Sequence, residues 1–356
     1  MSQIKNIEIK NFKSIRHALI DDCRRVNVFI GYPNVGKSNV LEALGLFSIK
    51  NKTVDFKKLF RITNVNSLFF NGNSKEKVEV RINEYQRARM EWKKEALKIK
   101  MEFDGSHLGF NVIDAPPATD KGQNANEYFS FELDESLQCV SMDNNKDAPK
   151  NSEVVPVGFY QFKEFEKDHT LSGQRLNSPW GENLFSVIAS NTALRNEVKE
   201  LFDFYNLKFS FDTNSNEYKI IKSVGDDIFL ISYSMIADTL QRLIFYKTAI
   251  KSNENTVLLF EEPEAHMFPA YIGKLTADIS QDENGNQFFI TTHSPFVLND
   301  LMEDVGISDM AIYAIGYNKD NGETMIKRIS EDEVNEIYQY GIDVFFNLEN
   351  FLKDAV

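Results

Sequence analysis

Between Ile4 and Ile15 apolar and polar residues alternate, with Ile4, Ile7, Ile9 and Phe12 as the apolar positions, and this pattern predicts a half-buried strand that turns near Lys13 and Ser14. A second strand is expected over Val26–Ile30. It runs into the glycine-bounded segment Gly31–Ser38, after which Val40, Leu41, Leu44 and Leu46 give Asn39–Phe47 helical spacing. From Lys77 to Phe162, strand-like stretches at Val78–Ile82, Tyr128–Leu133 and Val154–Phe159 are separated by polar segments. Two of these, 118–127 and 143–152, are rich in Asn, Asp, Lys and Gly and read as surface loops. Helical spacing follows at Asn183–Ala189 and Ala193–Tyr205, then a polar hairpin-like piece near Asn214–Asn216, then a helix over Met235–Ile250. Two apolar strands, Thr256–Phe260 and Gln287–Thr291, flank a helix around Tyr271–Ile279. Buried strands alternating with helices indicate an α/β fold with a mostly parallel sheet.

The chain has 356 residues, enough for one large domain or two ordinary ones, and a hydrophobic content of 42% that excludes wholesale disorder. Its formal net charge of −13 argues against a surface that binds nucleic acid everywhere, because phosphate neutralisation needs clustered Lys and Arg. Cys23 and Cys139 are too few for a disulfide framework and lack the paired spacing of a zinc site, so a reducing cytoplasm is expected. The opening residues carry no apolar core of signal-peptide length, and no apolar run approaches the roughly 18 residues needed to span a bilayer. Neither secretion nor membrane insertion is expected.

Gly31-Tyr32-Pro33-Asn34-Val35-Gly36-Lys37-Ser38 satisfies G-x-x-x-x-G-K-[ST] at every fixed position, between an expected strand and an expected helix. Glycines let successive backbone N–H groups curl around a phosphate, and the following helix offers its positive end. Lys37 would reach the β- and γ-phosphates of a nucleoside triphosphate, and the Ser38 hydroxyl would ligate Mg²⁺. Gly31, Asn34, Val35, Gly36 and Asn39 complete the expected binding loop. Two further motifs that a GTPase needs are near misses. Asp114-Ala115-Pro116-Pro117 ends in a residue with no N–H, and Asn318-Lys319-Asp320-Asn321 has its Asp one place early, so GTPase is a minor reading.

The strand Val257–Phe260 ends in Glu261 and Glu262. In a parallel sheet this end lies beside the phosphate loop, where Glu261 is expected to bind Mg²⁺ and Glu262 to polarise the attacking water. The strand ending at Thr291 delivers Thr292 and His293 to the same edge; His293 there can hydrogen-bond a γ-phosphate oxygen and the water.

Four segments together resemble the ABC-type ATPases of the RecF, SMC and OLD (overcoming lysogenization defect) kind: I-x-N-F-K-S-I at Ile9–Ile15, G-x-x-x-x-G-K-S-N at Gly31–Asn39, F-E-E-P-E-A-H at Phe260–His266 and T-T-H-S-P at Thr291–Pro295. The last two look most like the OLD branch. The resemblance implies a single split ATPase head: residues 1–165 with the phosphate loop and a β-rich lobe, 166–250 a helical signature lobe, and 251–356 the acidic strand and histidine. It also implies a dimer that sandwiches two ATP molecules with Mg²⁺, each site completed by a signature loop of the partner. Here that loop is Ser234–Arg242, which departs from Ser-x-Gly by placing Ile236 and Asp238 at the fixed positions; Ser234 is the candidate substitute. No heptad pattern announces the coiled coil of the SMC proteins. OLD proteins carry a C-terminal topoisomerase-primase nuclease domain, for which the stretch after His293 is too short. By resemblance the setting is bacterial defence against phage, with a separately encoded nuclease or toxin. Repair of the RecF type and a nucleotide-gated scaffold with little catalysis are the alternatives.

Weaker signals remain. Arg87, Arg89, Lys93, Lys94, Lys98 and Lys100, with Trp92 among them, could track nucleic acid, but nearby Glu84, Glu91 and Glu95 favour a solvated, charge-balanced face. His266 could touch a partner head, whereas His17, His107 and His169 have no metal-like neighbours. For the glutamine that couples Mg²⁺ to the rest of such heads, Gln86 and Gln161 are candidates.

Overall fold

A computed structural model describes residues 3–50, 53–83, 85–93, 96–104, 125–144, 154–164, 173–212 and 217–353. Of the loops expected at 118–127 and 143–152, residues 118–124 and 145–152 lie outside the described residues, as do the Asp114–Pro117 near miss, the Asn214–Asn216 piece, Glu84, Lys94, Glu95, His107 and His169; residues 125–127 and 143–144 belong to strands instead, because antiparallel pairing extends into both segments.

The strands are Ile7–Phe12 (β1), Ile15–Ile20 (β2), Val26–Gly31 (β3), Val78–Ile82 (β4), Gln86–Lys93 (β5), Ala96–Asp104 (β6), Ala125–Leu133 (β7), Cys139–Asn144 (β8), Val157–Tyr160 (β9), Lys208–Asp212 (β10), Glu217–Val224 (β11), Asp227–Ser232 (β12), Val257–Glu261 (β13), Gln287–Thr291 (β14), Met310–Tyr317 (β15) and Thr324–Arg328 (β16). The helices are Lys37–Gly45 (α1), Phe56–Leu59 (α2), Leu184–Ser190 (α3), Thr192–Asp203 (α4), Asp238–Ser252 (α5), Pro269–Ser280 (α6), Pro295–Val305 (α7), Glu331–Tyr340 (α8) and Leu348–Leu352 (α9).

Among the described residues the strands form three sheets. The core sheet runs β16-β15-β3-β14-β13-β9, and every pairing in it is parallel except that of β15 with β16. An antiparallel sheet, β2-β1-β4-β5-β6-β7-β8, forms the β-rich lobe, and β10-β11-β12 forms a small sheet beside α4.

Both faces of the core sheet are covered, which explains why its strands are almost continuously apolar. Phe29, Leu259, Phe289 and Tyr313 face α1 and the β-rich lobe, while Val28, Ile30, Leu258, Phe260, Phe288 and Ile290 face the helical side. Parallel pairing fixes the functional edge: Glu261 pairs with Thr291, Thr291 with Phe29, and Phe260 with Tyr160. The C-terminal ends of β3, β14, β13 and β9 therefore open on one rim, where ligands of open α/β sheets bind.

Candidate functional site

At this rim the chain leaves β3 through Gly31 and enters α1 at Lys37 by a loop that only glycine permits at two points. A Cβ on Gly31 would lie 2.5 Å from the Ile315 carbonyl oxygen. Gly36 has φ +103°, and a Cβ there would meet Thr324 Oγ1 at 2.2 Å and Ser14 Oγ at 2.8 Å. The loop is braced from outside. Thr324 Oγ1 donates to the Val35 carbonyl at 2.9 Å and pairs with Ser14 Oγ at 2.6 Å, while Asn39 Nδ2 donates to Ser14 Oγ at 2.6 Å. Ser14 of the first hairpin thus supports the phosphate loop from a distant part of the sequence, and Val35 is buried beneath it.

Lys37 is buried, and its Nζ donates to the carbonyls of Gly31 at 3.0 Å and Tyr32 at 2.9 Å. Burial pulls its pKa down to about 8, against the opposing pull of Glu262 and Glu261.

Glu261 closes β13, and its Oε1 lies 2.8 Å from the Arg61 guanidinium. Arg61 also grips Glu42 of α1 at 2.6 Å, and Glu42, fully buried, is paired with Lys13 as well. This chain of charges ties the metal-ligand candidate to the helix that follows the phosphate loop. Glu262 follows in the left-handed region, φ +41°, with its N–H donating to the Thr291 carbonyl at 2.9 Å. Its carboxylate Oε1 is 3.2 Å from His293 Nε2. Burial, then the nearby Lys37 charge, hold His293 below the ordinary histidine range against the opposing effect of Glu262. The imidazole is therefore neutral at neutral pH, with one nitrogen free to donate and one to accept.

These groups share one cleft of about 850 Å³, lined among others by Asn34, Gly36, Lys37, Ser38, Asn39, Glu261, Glu262 and His293. It adjoins a second cavity of about 520 Å³ through Lys13, Ser14 and Arg61. Lys37, Glu261 and Glu262 thus meet at the rim, as the motifs require. Among the described residues no cluster of three His, Cys, Asp or Glu side chains could hold a metal by itself. Ser38 and Glu261 instead offer the hard oxygens with which Mg²⁺ joins a protein to phosphates, most of its shell coming from phosphate and water.

Ser234 is not part of this cleft: it is exposed, and its carbonyl is 3.5 Å from Gln241 Nε2. Asp238 begins α5 and pairs with Arg242 at 2.7 Å, so an arginine neutralises the acid that stands where a signature glycine would be. Gln161, just after β9, lines the cleft, whereas Gln86 is buried and bonds both ways to the Val155 backbone. Of three further contributors, only Arg61 lies outside every motif; Arg242 belongs to the signature segment and Glu264 to the acidic motif. Arg61 and Arg242 line the cleft, and Glu264 sits behind His293. Glu264 was in view within F-E-E-P-E-A-H, but nothing local marked its partner.

His266 contributes its carbonyl, which accepts from Thr239 Oγ1 at 3.0 Å, and so links the loop after β13 to the signature segment of the same chain. His17 is exposed and pairs with Glu8 at 3.0 Å.

The basic run lies on the antiparallel hairpin β5–β6, where acids of neighbouring strands, and Glu91 on β5 itself, answer it. Arg87 pairs with Glu102 at 2.5 Å, Arg89 with Glu79 at 2.8 Å, Lys93 with Glu91 at 2.8 Å and Lys98 with Glu132 at 2.6 Å. Trp92 packs against the core of the β-rich lobe. Asn318–Asn321 forms the β15–β16 turn, in which Asn318 and Asn321 accept from the backbone N–H groups of Asp320 and Glu323. None of the described helices is long and apolar enough to cross a membrane.

The model of the AAA ATPase domain family matches residues 3–227. A Helicobacter pylori protein described as an ATP/GTP phosphatase is 24% identical over 348 aligned residues, covering 86% of this chain and 90% of that protein. Among solved structures, an SMC head bound to the C-terminal winged-helix domain of ScpA superposes with a TM-score of 0.52 at 15% identity, over 94% of this chain and all of the other. An SMC head with an extended coiled coil, bound to a ScpA domain from Pyrococcus furiosus, gives 0.50 at 13% identity over 95% and 98%. The fold is that of the SMC ATPase heads.

Proposed function

The chain belongs to the AAA ATPase domain family, and from that premise we propose that it binds and hydrolyses ATP with Mg²⁺, two copies closing around two nucleotides. The observation that carries this reading is the meeting of Lys37, Glu261, Glu262 and His293 around one cleft. Lys37 exchanges its loop carbonyls for phosphate oxygens. Ser38 and Glu261 hold Mg²⁺, which supplies charge neutralisation on the phosphates. Glu262 orients the attacking water and takes its proton, and His293, 3.2 Å away, donates to the γ-phosphate oxygen. Steady-state phosphate release tests this: turnover should require Mg²⁺ and vanish with EDTA, and metal-independent release would contradict the assignment.

The Lys37 environment adds a pH prediction. Its depressed pKa means that the free protein holds fewer protons than the unfolded chain between pH 8 and the ordinary lysine range, so this group's contribution to stability rises with pH there. A triphosphate restores the charge. Binding above pH 8 should therefore take up a proton, and affinity should fall as pH rises further. Calorimetric titration in buffers of different ionisation enthalpy would read this uptake, and buffer-independent heats would contradict it.

Dimer closure would bring the partner's Ser234 segment to the nucleotide. In support, that segment, with Met235 76% accessible, follows a strand with exposed apolar side chains, Ile228 68% and Leu230 66% accessible. Residues after His293 build β15 and β16 into the core sheet. The likeness of the acidic and histidine motifs to the OLD branch favours a setting of defence against phage, with the chain serving a nuclease or toxin effector. A RecF-type role would need DNA to stimulate turnover through the β5–β6 hairpin, where Arg87 and Arg89 are already paired with acids. The scaffold reading draws on Asp238 in the signature; turnover indifferent to Glu262→Gln would favour it.

A further inference from the structure

We propose that Glu264 is a positioning residue that clasps together the two loops carrying Glu262 and His293, and so sets the distance between them. This rests on the hydrolytic reading above.

Glu264 is 8% exposed, deep in the turn that follows β13. Its Oε1 accepts from the Thr292 hydroxyl at 2.5 Å and from the backbone N–H of His293 at 3.3 Å. Thr292 Oγ1 in turn accepts from the Ser294 N–H at 2.9 Å, so Glu264 grips two successive residues at the exit of β14 and Thr292 relays the hold to the third. The same turn holds Glu262, because the Ala265 N–H donates to the Glu262 carbonyl at 3.0 Å and the Met267 N–H to the Glu264 carbonyl at 2.8 Å. Glu262 and His293 stand on neighbouring strand ends and pair with each other, and Glu264 is a buried side chain that crosses behind them from one loop to the other. The other oxygen, Oε2, is buried without a hydrogen-bond partner. A carboxylate there is desolvated on one side, and burial pushes its pKa up against the two hydrogen bonds it accepts. Glutamine, of the same shape, can keep both bonds to Oε1.

The test compares Glu264→Ala and Glu264→Gln by ATP turnover, nucleotide affinity and the NMR signal of the His293 ring, assigned by its loss in His293→Ala. Alanine should lower kcat at least tenfold with KM within twofold. Glutamine should restore kcat to within threefold of the parent. On a His293→Ala background, Glu264→Ala should cost little more. Full multiplication of the two losses, an equal fall in affinity, or a glutamine variant as poor as alanine would overturn the clasp. If alanine prevents folding, Thr292→Val removes the same bond from the other side and should show the same kcat loss; an unimpaired valine variant would overturn the proposal. If the parent chain hydrolyses no ATP, the functional reading fails separately, and the ring signal still decides: it should move in Glu264→Ala and return in Glu264→Gln, and a stationary signal in both overturns the clasp.

Discussion

Nucleotide affinity should fall by about 10²–10⁴-fold when Lys37 is replaced by alanine. The ammonium donates to two loop carbonyls in the free protein and would donate to two phosphate oxygens in the complex. Charge-assisted hydrogen bonds contribute about 1.5–3 kcal/mol each, and each 1.4 kcal/mol is about a decade in affinity. Equilibrium dialysis with labelled ATP measures the loss directly. The same variant gives up the two carbonyl contacts that shape the loop, so a thermal melt should accompany it. Uptake equal to that of the parent would remove the phosphate-loop assignment.

The second large effect is expected from Glu262→Gln. A positioned general base contributes about 10²–10⁴-fold to rate. Turnover should fall by that order while ATP is still bound, because the Glu262 carboxylate pairs with His293 and its side chain is 43% exposed. Removing its charge also leaves His293 more firmly neutral, since Glu262 is the group that raises the imidazole's pKa. With ATP retained and hydrolysis blocked, closed pairs should accumulate and appear in light scattering as a doubled mass. A persistent monomer at saturating ATP would count against the sandwich.

The sequence made most of the rim legible because its chemistry is local. Gly31–Ser38 must form a glycine-dependent loop between strand and helix, and Glu261-Glu262 and Thr292-His293 each directly follow an apolar strand. What stayed hidden depends on contacts across the fold. Arg61 carries no motif, and its role is set by Glu42 and Glu261, respectively 19 and 200 positions away. Glu264 is likewise defined by partners on another strand. Strand β15, Met310–Tyr317, is an apolar run whose periodicity suits a buried strand or a buried helix equally, so its insertion beside β3 had no local signature. The basic run on β5–β6 looked like one charge cluster in sequence, but antiparallel pairing sets acids opposite or beside its cations. Strand β12 shows the converse, with Ile228, Phe229 and Leu230 apolar yet exposed. Hydrophobicity alone does not say what will cover a strand.

The central claim is that a lysine on the phosphate loop and two glutamates on β13 serve a single nucleotide. It is tested most directly by a crystal structure of Glu262→Gln grown with ATP and Mg²⁺. The expected result has the β- and γ-phosphates against Lys37, the metal between Ser38 and Glu261, and Glu261 released from Arg61 toward that metal. Density for the triphosphate away from Lys37, or a metal with neither Ser38 nor Glu261 in reach, would contradict the account.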